Sequence, residues 1–189
     1  MKIYKIMADV EHFRQLHPAD ENFFFNAVLD FDGRSWSGSW CPQKMYALNA
    51  ELPRGDFFGG VVGALIMPRQ TACQVESFLL DAGELLPLIV EQENEPFSLL
   101  NTTVCAAALD ADRTVWEPSP LTGQRLSILK YAFIAERLPQ SSLFKIPENV
   151  RGRLFTLEKT GNPEWEFKAR VEARKLKGLV FEKVWTDEF

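Results

Sequence analysis

The sequence predicts an α+β fold: a single domain with a mixed or mostly antiparallel sheet, two main helices at about 70–82 and 162–176, and an aromatic-rich N-terminal lobe. Three observations lead there. Ala72, Val75, Phe78, Leu79 and Ala82 recur at three- and four-residue steps, the stripe of an amphipathic helix. Asn162-Pro163 opens a second helix with a capping amide and a proline at the first helical position, and Gly178, preceded by Arg174, Lys175 and Lys177, stops it. The remainder is mostly short apolar runs of strand length, bounded by proline, glycine and acidic clusters.

Taken in order, Lys2 to Met7 alternates as a first strand. Residues 8–27 read as irregular or helical, Ala27 to Phe31 as a short strand, and Asp30-Phe-Asp32-Gly33 as a turn. Ser35 to Leu52 is aromatic and poorly periodic, a loop with short pieces of strand. Pro53 to Gly63, with glycines around Phe57-Phe58, is a tight connection. Ala64 to Met67 is a buried strand closed by Pro68, and the first helix follows, with Thr71 as its cap and Gly83 as its stop. Leu85 to Val90 and Phe97 to Val104 are strands joined by the acidic turn 91–96. Pro118, Pro120 and Gly123 mark a loop. Leu126 to Leu138 is apolar on both faces and so reads as a long central strand. Leu143 to Ile146 and Arg153 to Leu157 are shorter strands. The second helix carries Trp165, Phe167, Ala169, Val171 and Leu176 as its apolar members, and Leu179 to Trp185 closes the chain as a strand, with Leu179, Phe181 and Trp185 on one side. The organisation is one domain over 1–189, divisible at most into an N-terminal lobe of 1–60 and a body of 61–189.

A chain of 189 residues with 46% hydrophobic and 25% charged residues has the make-up of an ordinary globular domain with one buried core. No apolar run is long enough to span a bilayer, and Asp9, Glu11 and Arg14 arrive before a secretory apolar segment could form. Cys41, Cys73 and Cys105 cannot all pair and lack metal-site spacing, which suits a reduced, cytoplasmic protein. The net charge of −5 is unevenly spread. Residues 76–117 hold nine acids against Arg113 alone, whereas 124–189 carry a net +4. An acidic block repels nucleic acid and attracts basic partners.

Each candidate for chemistry has a plainer reading. His12 and His17 are five apart, which does not place two ligands on one helix face, and no metal site is expected. Cys105 sits in an apolar run and reads as a small hydrophobe, Cys73 lies at the core side or edge of the helix, and Cys41 is the cysteine expected to be exposed. Gly59-Gly60-Val-Val-Gly63 lacks the lysine and hydroxyl of a phosphate loop and suits a close approach of two backbones. Glu91 with Glu93, or Asp110 with Asp112, would share a face if they lay on strands, and acid–base hydrolysis would need one of them buried in a cleft. Trp36, Trp40, Tyr46 and Phe57-Phe58 suit core packing or, as aromatic anchors, a binding surface. No catalytic residue, cofactor site or metal site is assigned.

Two segments, Phe97-Ser-Leu-Leu-Asn101-Thr-Thr-Val104-Cys-Ala-Ala-Ala-Leu109-Asp110 and the ending Lys177-Gly178-Leu-Val-Phe181, give the chain a family likeness. With Gly63–Pro68, Thr71–Ala82 and Glu84–Val90 in the expected places upstream, it resembles family eleven of the bacterial polymorphic-toxin immunity proteins, formerly a domain of unknown function. The likeness covers roughly residues 45–185 and adds nothing over the first forty. It implies a cytoplasmic immunity protein that binds and neutralises a cognate toxin domain encoded by a neighbouring gene, in interbacterial competition. Such a protein is not an enzyme, needs no cofactor, and engages neither nucleic acid nor membrane. The acids Glu91, Glu93, Glu95, Asp110, Asp112 and Glu117 are the residues expected to meet the partner, by steering a basic toxin surface. The alternatives are a hydrolase using a carboxylate pair or Cys41, and an adaptor that loads an effector.

Overall fold

The computed structural model describes residues 1–20, 31–91, 93–149 and 152–187. The α+β class holds, with mixed, mostly antiparallel sheets and, among the described residues, two α-helices. Four strands form the first sheet: β1 (Lys2–Ala8), β9 (Leu143–Phe144), β10 (Leu154–Glu158) and β11 (Leu179–Thr186), in the order β11-β1-β10-β9 and antiparallel throughout. The second has the order β2-β3-β5-β6-β4, from β2 (Gln15–Pro18), β3 (Gln43–Leu48), β4 (Leu65–Pro68), β5 (Gly83–Val90) and β6 (Phe97–Thr102). Its β3–β5 pair is parallel and the others antiparallel. A separate ribbon pairs β7 (Val115–Pro118) with β8 (Arg125–Lys130). Residues 1–60 do not stand apart, since β1 lies inside the first sheet and β3 inside the second. The strand expected at 27–31 falls almost entirely outside the described residues, as does Phe23-Phe24-Phe25.

Period-two alternation sends neighbouring side chains to opposite faces, and here each sheet uses both. Ile6, Leu65, Met67, Leu100, Leu143 and Leu154 join one buried cluster beneath the helices. Their sequence neighbours Ile66 and Leu99 enter a second cluster with Leu16, Met45, Phe58, Leu88 and Phe97. Phe144 and Phe155 enter a third, with Ile3, Leu109, Phe133 and Leu157. The layer under the helices therefore belongs to both sheets at once.

Helix α1 (Arg69–Ala82) follows β4 directly and buries Ala72, Val75, Phe78, Leu79 and Ala82, as its periodicity predicts. Its cap differs: Pro68 takes the N-cap position, and Thr71 lies a turn inside, buried. Gly83 does end the helix, donating its N–H to the Leu79 carbonyl, but in an extended conformation that starts β5. A Cβ there would come within 2.0 Å of the Asn101 carbonyl oxygen, so only glycine lets β5 start hard against β6.

Helix α2 is shorter than the sequence predicts, Phe167–Ala173. Asn162 nucleates a separate turn instead. Its carbonyl accepts from the N–H groups of Trp165 and Glu166, and its side-chain oxygen from that of Glu164. Trp165 consequently stands 76% exposed rather than in the core. The left-handed residue that closes α2 is Lys175, with φ 55°. Leu176 donates to the Val171 carbonyl and Lys175 to that of Glu172, the paired bonds of a Schellman ending. Gly178 serves a different end. At φ 100°, it passes so close to Phe57 that a Cβ would lie 2.2 Å from the Phe57 carbonyl oxygen. In β11, Leu179 and Phe181 reach the layer under the helices, but a register shift opposite Ile3 and Tyr4 sends Val184 and Trp185 to the third cluster.

The largest departure concerns 126–138. No long central strand forms; β8 stops at Lys130 in the exposed ribbon, and a 3₁₀ turn follows at Ala135–Arg137.

Among the described residues, one ionisable side chain, Lys145, has no exposed surface at all. Lys145 follows β9 and donates its Nζ to the Phe31 carbonyl at 2.6 Å. Burial pulls its pKa from 10.5 down to about 8, against the opposing pull of Cys105 and Asp32. The unfolded chain therefore binds more protons between those two values, and this residue's contribution to stability rises with pH across that window. Relative to a Lys145→Met variant, the native protein should gain about 2–3 kcal/mol between pH 7 and pH 10. Parallel urea titrations at the two pH values measure it, and an equal difference at both would refute the assignment.

Candidate functional site

The six acids expected to meet a partner fall into two groups. Glu91, Glu93 and Glu95 lie in the β5–β6 turn, beside Val90 and Phe97, and not on a strand. Glu93 and Glu95 both pair with Arg54, Glu93 at 3.3 Å, and the Arg54 guanidinium also sits 5.7 Å from the centre of the Phe97 ring. One of these three charges is thus compensated within the chain, the single Arg54 cation being shared by two carboxylates, and Glu91 is exposed. Asp110, Asp112 and Glu117 follow the opposite end of β6. Asp110 organises a turn by accepting from the N–H groups of Asp112 and Arg113. Glu117 lies on β7 and accepts from the Ser127 hydroxyl across the ribbon. The structure does not bring the two groups into one patch.

The ribbon bearing Glu117 carries four exposed apolar side chains. Leu121 at its tip is 93% exposed, Leu129 63%, Leu126 60% and Val115 48%. The register explains two of them. Trp116 pairs with Ile128 and Val115 with Lys130, so Leu129 is an extra residue; Glu117 pairs with Ser127 and Pro118 with Arg125, so Leu126 is another. Both leucines are β-bulges, which re-aim a side chain away from the ladder. The root is firmly seated, because Trp116, Ile128 and Tyr131 pack on the third cluster. In sequence, two apolar faces mean a strand covered on both sides; in the folded monomer, β8 has only Ile128 covered.

The aromatic candidates divide. Phe57 and Phe58 are core residues, and Tyr46 is half-buried 5.4 Å from the His17 ring. Trp36 and Trp40 pack partly buried against Phe31 and each other. What holds their loop is Glu84, whose carboxylate accepts from the Ser35 hydroxyl at 2.8 Å, the Trp36 and Ser37 N–H groups, and the Asn101 amide at 2.8 Å. Asn101 also donates to the Arg34 carbonyl at 2.7 Å. The asparagine of Phe97-Ser-Leu-Leu-Asn101 therefore anchors a loop.

The chemical candidates are dispersed. Cys41, Cys73 and Cys105 are all exposed, which corrects the expected burial of Cys105 and core-side place of Cys73. His12 Nδ1 sits 2.8 Å from Asp9, and that contact raises its pKa. His17 Nδ1 lies 2.9 Å from the Pro18 carbonyl. Gly60, at φ 136°, would drive a Cβ to 1.7 Å from the Leu16 carbonyl oxygen, the close backbone approach expected of the glycine-rich connection. Among the described residues no three His, Cys, Asp or Glu side chains gather to hold a metal ion, and no helix is long and apolar enough to cross a membrane. A cleft of about 430 Å³ between α1 and the turn before α2 contains Asp81, Glu164 and Glu166. Glu166 is engaged there: its carboxylate accepts from the backbone of Lys159, Thr160 and Gly161 and from the Thr160 hydroxyl. Glu164 pairs with Arg170 at 3.0 Å.

Compared with known proteins, the chain matches no family model and no curated sequence.

Burial alone would raise the Glu84 carboxyl, but the donors from Trp36, Asn101, Ser35 and Ser37 outweigh it and hold it below the ordinary 4.5. A depressed carboxyl stabilises the fold above its unfolded pKa, and the gain is lost as pH falls through the folded value. Glu84→Gln should cost about 1.5–3 kcal/mol near pH 7, with a red shift in tryptophan emission as the 34–37 loop loosens. The deficit should shrink in acid; the same deficit at pH 7 and pH 3 by urea unfolding would contradict this role.

Proposed function

We propose that this chain is a cytoplasmic immunity protein that binds and neutralises a cognate toxin domain, with the β7–β8 ribbon as its principal contact. The observation that carries the reading is the pair of bulges that turns Leu126 and Leu129 outward beside the exposed tip residue Leu121. Large apolar side chains held on a seated ribbon are what an interface core needs, and burying each contributes about 1.5–3 kcal/mol. Glu117 within the ribbon and Asp110 and Asp112 at its base offer acids to a basic partner, but Arg113, Arg125 and Lys130 balance them over 110–130, so the contact is chiefly apolar. The resemblance of 97–110 and of the chain's ending to family eleven of the immunity proteins supports the same reading. The β5–β6 turn is a weaker contact, since Glu93 and Glu95 are already engaged with Arg54.

The deciding experiment is co-expression with the C-terminal domain encoded by the neighbouring large gene, scoring growth and co-purification. Growth rescue with a stable complex is the expected result. Rescue without a complex would mean enzymatic reversal of the damage, and a failed rescue whose only phenotype is impaired secretion would mean an effector-loading adaptor. Within the complex, Leu121→Asp combined with Leu126→Asp and Leu129→Asp should raise the Kd at least about a hundredfold, the loss of roughly 3 kcal/mol. The free protein's stability should move by about 0.5 kcal/mol or less, because the side chains are exposed. Reversal of Asp112 and Glu117 should slow association and flatten its salt dependence. Unchanged binding in the leucine variant would remove the ribbon from the interface.

A further inference from the structure

The β7–β8 ribbon stands off the body as a finger. Among the described residues no third strand pairs with it. From Glu117 to Ser127 every residue is exposed except Ser119, which is half-buried. The base of the finger is fixed on both legs. The buried Thr114 donates its hydroxyl to the Ala132 carbonyl at 3.3 Å, and the Asp110 N–H donates to the same carbonyl at 3.0 Å. Trp116 is seated on the third cluster, and from there to Leu121 the extended chain reaches about 15 Å.

The exposed tip is nonetheless ordered by its own hydrogen bonds. Ser119 donates its N–H to the Gln124 carbonyl at 2.7 Å, and Gly123 donates back to the Ser119 carbonyl at 2.9 Å. The Ser119 hydroxyl oxygen accepts from the Leu121 and Thr122 N–H groups. Leu121 is thus held out at the apex on a backbone whose path is already set. The tip itself, Pro118-Ser-Pro-Leu121-Thr-Gly-Gln124, has no ionisable side chain, and charge resumes only at Glu117 and Arg125 on either side. A neutral tip enters a dry site without the desolvation cost that a charge carries. A narrow convex element also buries little against a flat face, whereas a cleft wraps its sides as well as its end.

We infer that this tip plugs the catalytic cleft of the toxin domain, with Leu121 filling an apolar subsite at its floor. The inference rests on the immunity reading above and adds how neutralisation works, by occluding the site and not by distorting it from a distance. The partner that fits is an enzyme whose cleft admits a two-stranded ribbon, roughly 10 Å across with its side chains. Leu126 and Leu129, turned outward further down the finger, then meet the rim of that cleft.

The test uses the full chain with the toxin domain encoded by the neighbouring large gene. A photo-cross-linking side chain is placed at position 121, and the toxin residues it captures are identified by mass spectrometry. They are compared with the toxin positions whose substitution abolishes toxicity. Capture inside the cleft that those positions line is the expected result. Leu121→Asp should weaken inhibition at least about tenfold. Leu80→Asp, which changes an exposed leucine on α1, should protect as the native chain does. Replacing 119–124 with the dipeptide Asn-Gly, a two-residue hairpin turn, shortens the finger and keeps Leu126 and Leu129. That variant should still co-purify with the toxin domain but no longer protect the cell. No complex and no rescue with the native chain would sink the immunity reading, and the plug with it. A complex whose cross-link falls outside the cleft, or one in which the shortened finger protects fully, would overturn the plug alone. So would a dimer of the free chain that Leu121→Asp dissociates.

Discussion

Both sheets turn one face toward the same two helices, and the apolar layer trapped between them ties the described chain into one body. Phe167 stands at its centre, fully buried, with the rings of Phe57, Phe78 and Phe181 at 6.0, 6.2 and 6.4 Å. Those rings come from the connection before β4, from α1 and from β11, so a single side chain joins elements more than a hundred residues apart. Burying it contributes about 2–3 kcal/mol, and the layer as a whole has to offset the chain entropy of holding β1 between β10 and β11. Two of the tight glycine contacts follow from the same requirement. Gly83 lets β5 leave α1 against β6, and Gly178 lets β11 leave α2 against Phe57. Both bring backbone to backbone at the margin of this layer.

Where the chain has no regular structure, carboxylates supply the order. Glu84 gathers the 35–37 loop and Asn101, and Glu166 gathers Lys159, Thr160 and Gly161. In both cases burial pushes the carboxyl up and the gathered donors more than reverse it. Each accepts two or more backbone N–H groups and so fixes the path of the loop that carries them. Their charge is spent on folding, which is why acidic character in this protein is a poor guide to its surface.

The same point separates what the sequence revealed from what it hid. Helix α1 was legible because its stripe is a local property, as were the β5–β6 hairpin and the closing strand. The start of α2 was not, since Asn162 and Pro163 make as good a turn as a helix and only the neighbouring contacts decide between them. The charge of 91–95 looked unbalanced because its counterion, Arg54, lies some forty positions upstream.

Strand β8 shows why an apolar pattern alone cannot place a strand. Alternation on both faces says that two surfaces are to be covered, and nothing in it says by which molecule. Here Ile128 is covered from within, while the two bulges hand Leu126 and Leu129 to the outside. The bulges also interrupt a bare two-stranded ladder, which would otherwise invite indiscriminate strand pairing. Its root is fixed by Trp116, Ile128 and Tyr131, so the ribbon has little left to order. On the proposed reading less conformational entropy is lost on association, and more of the leucine burial appears as affinity. The exposed ribbon is therefore better suited to a preformed contact than to a segment that folds on binding.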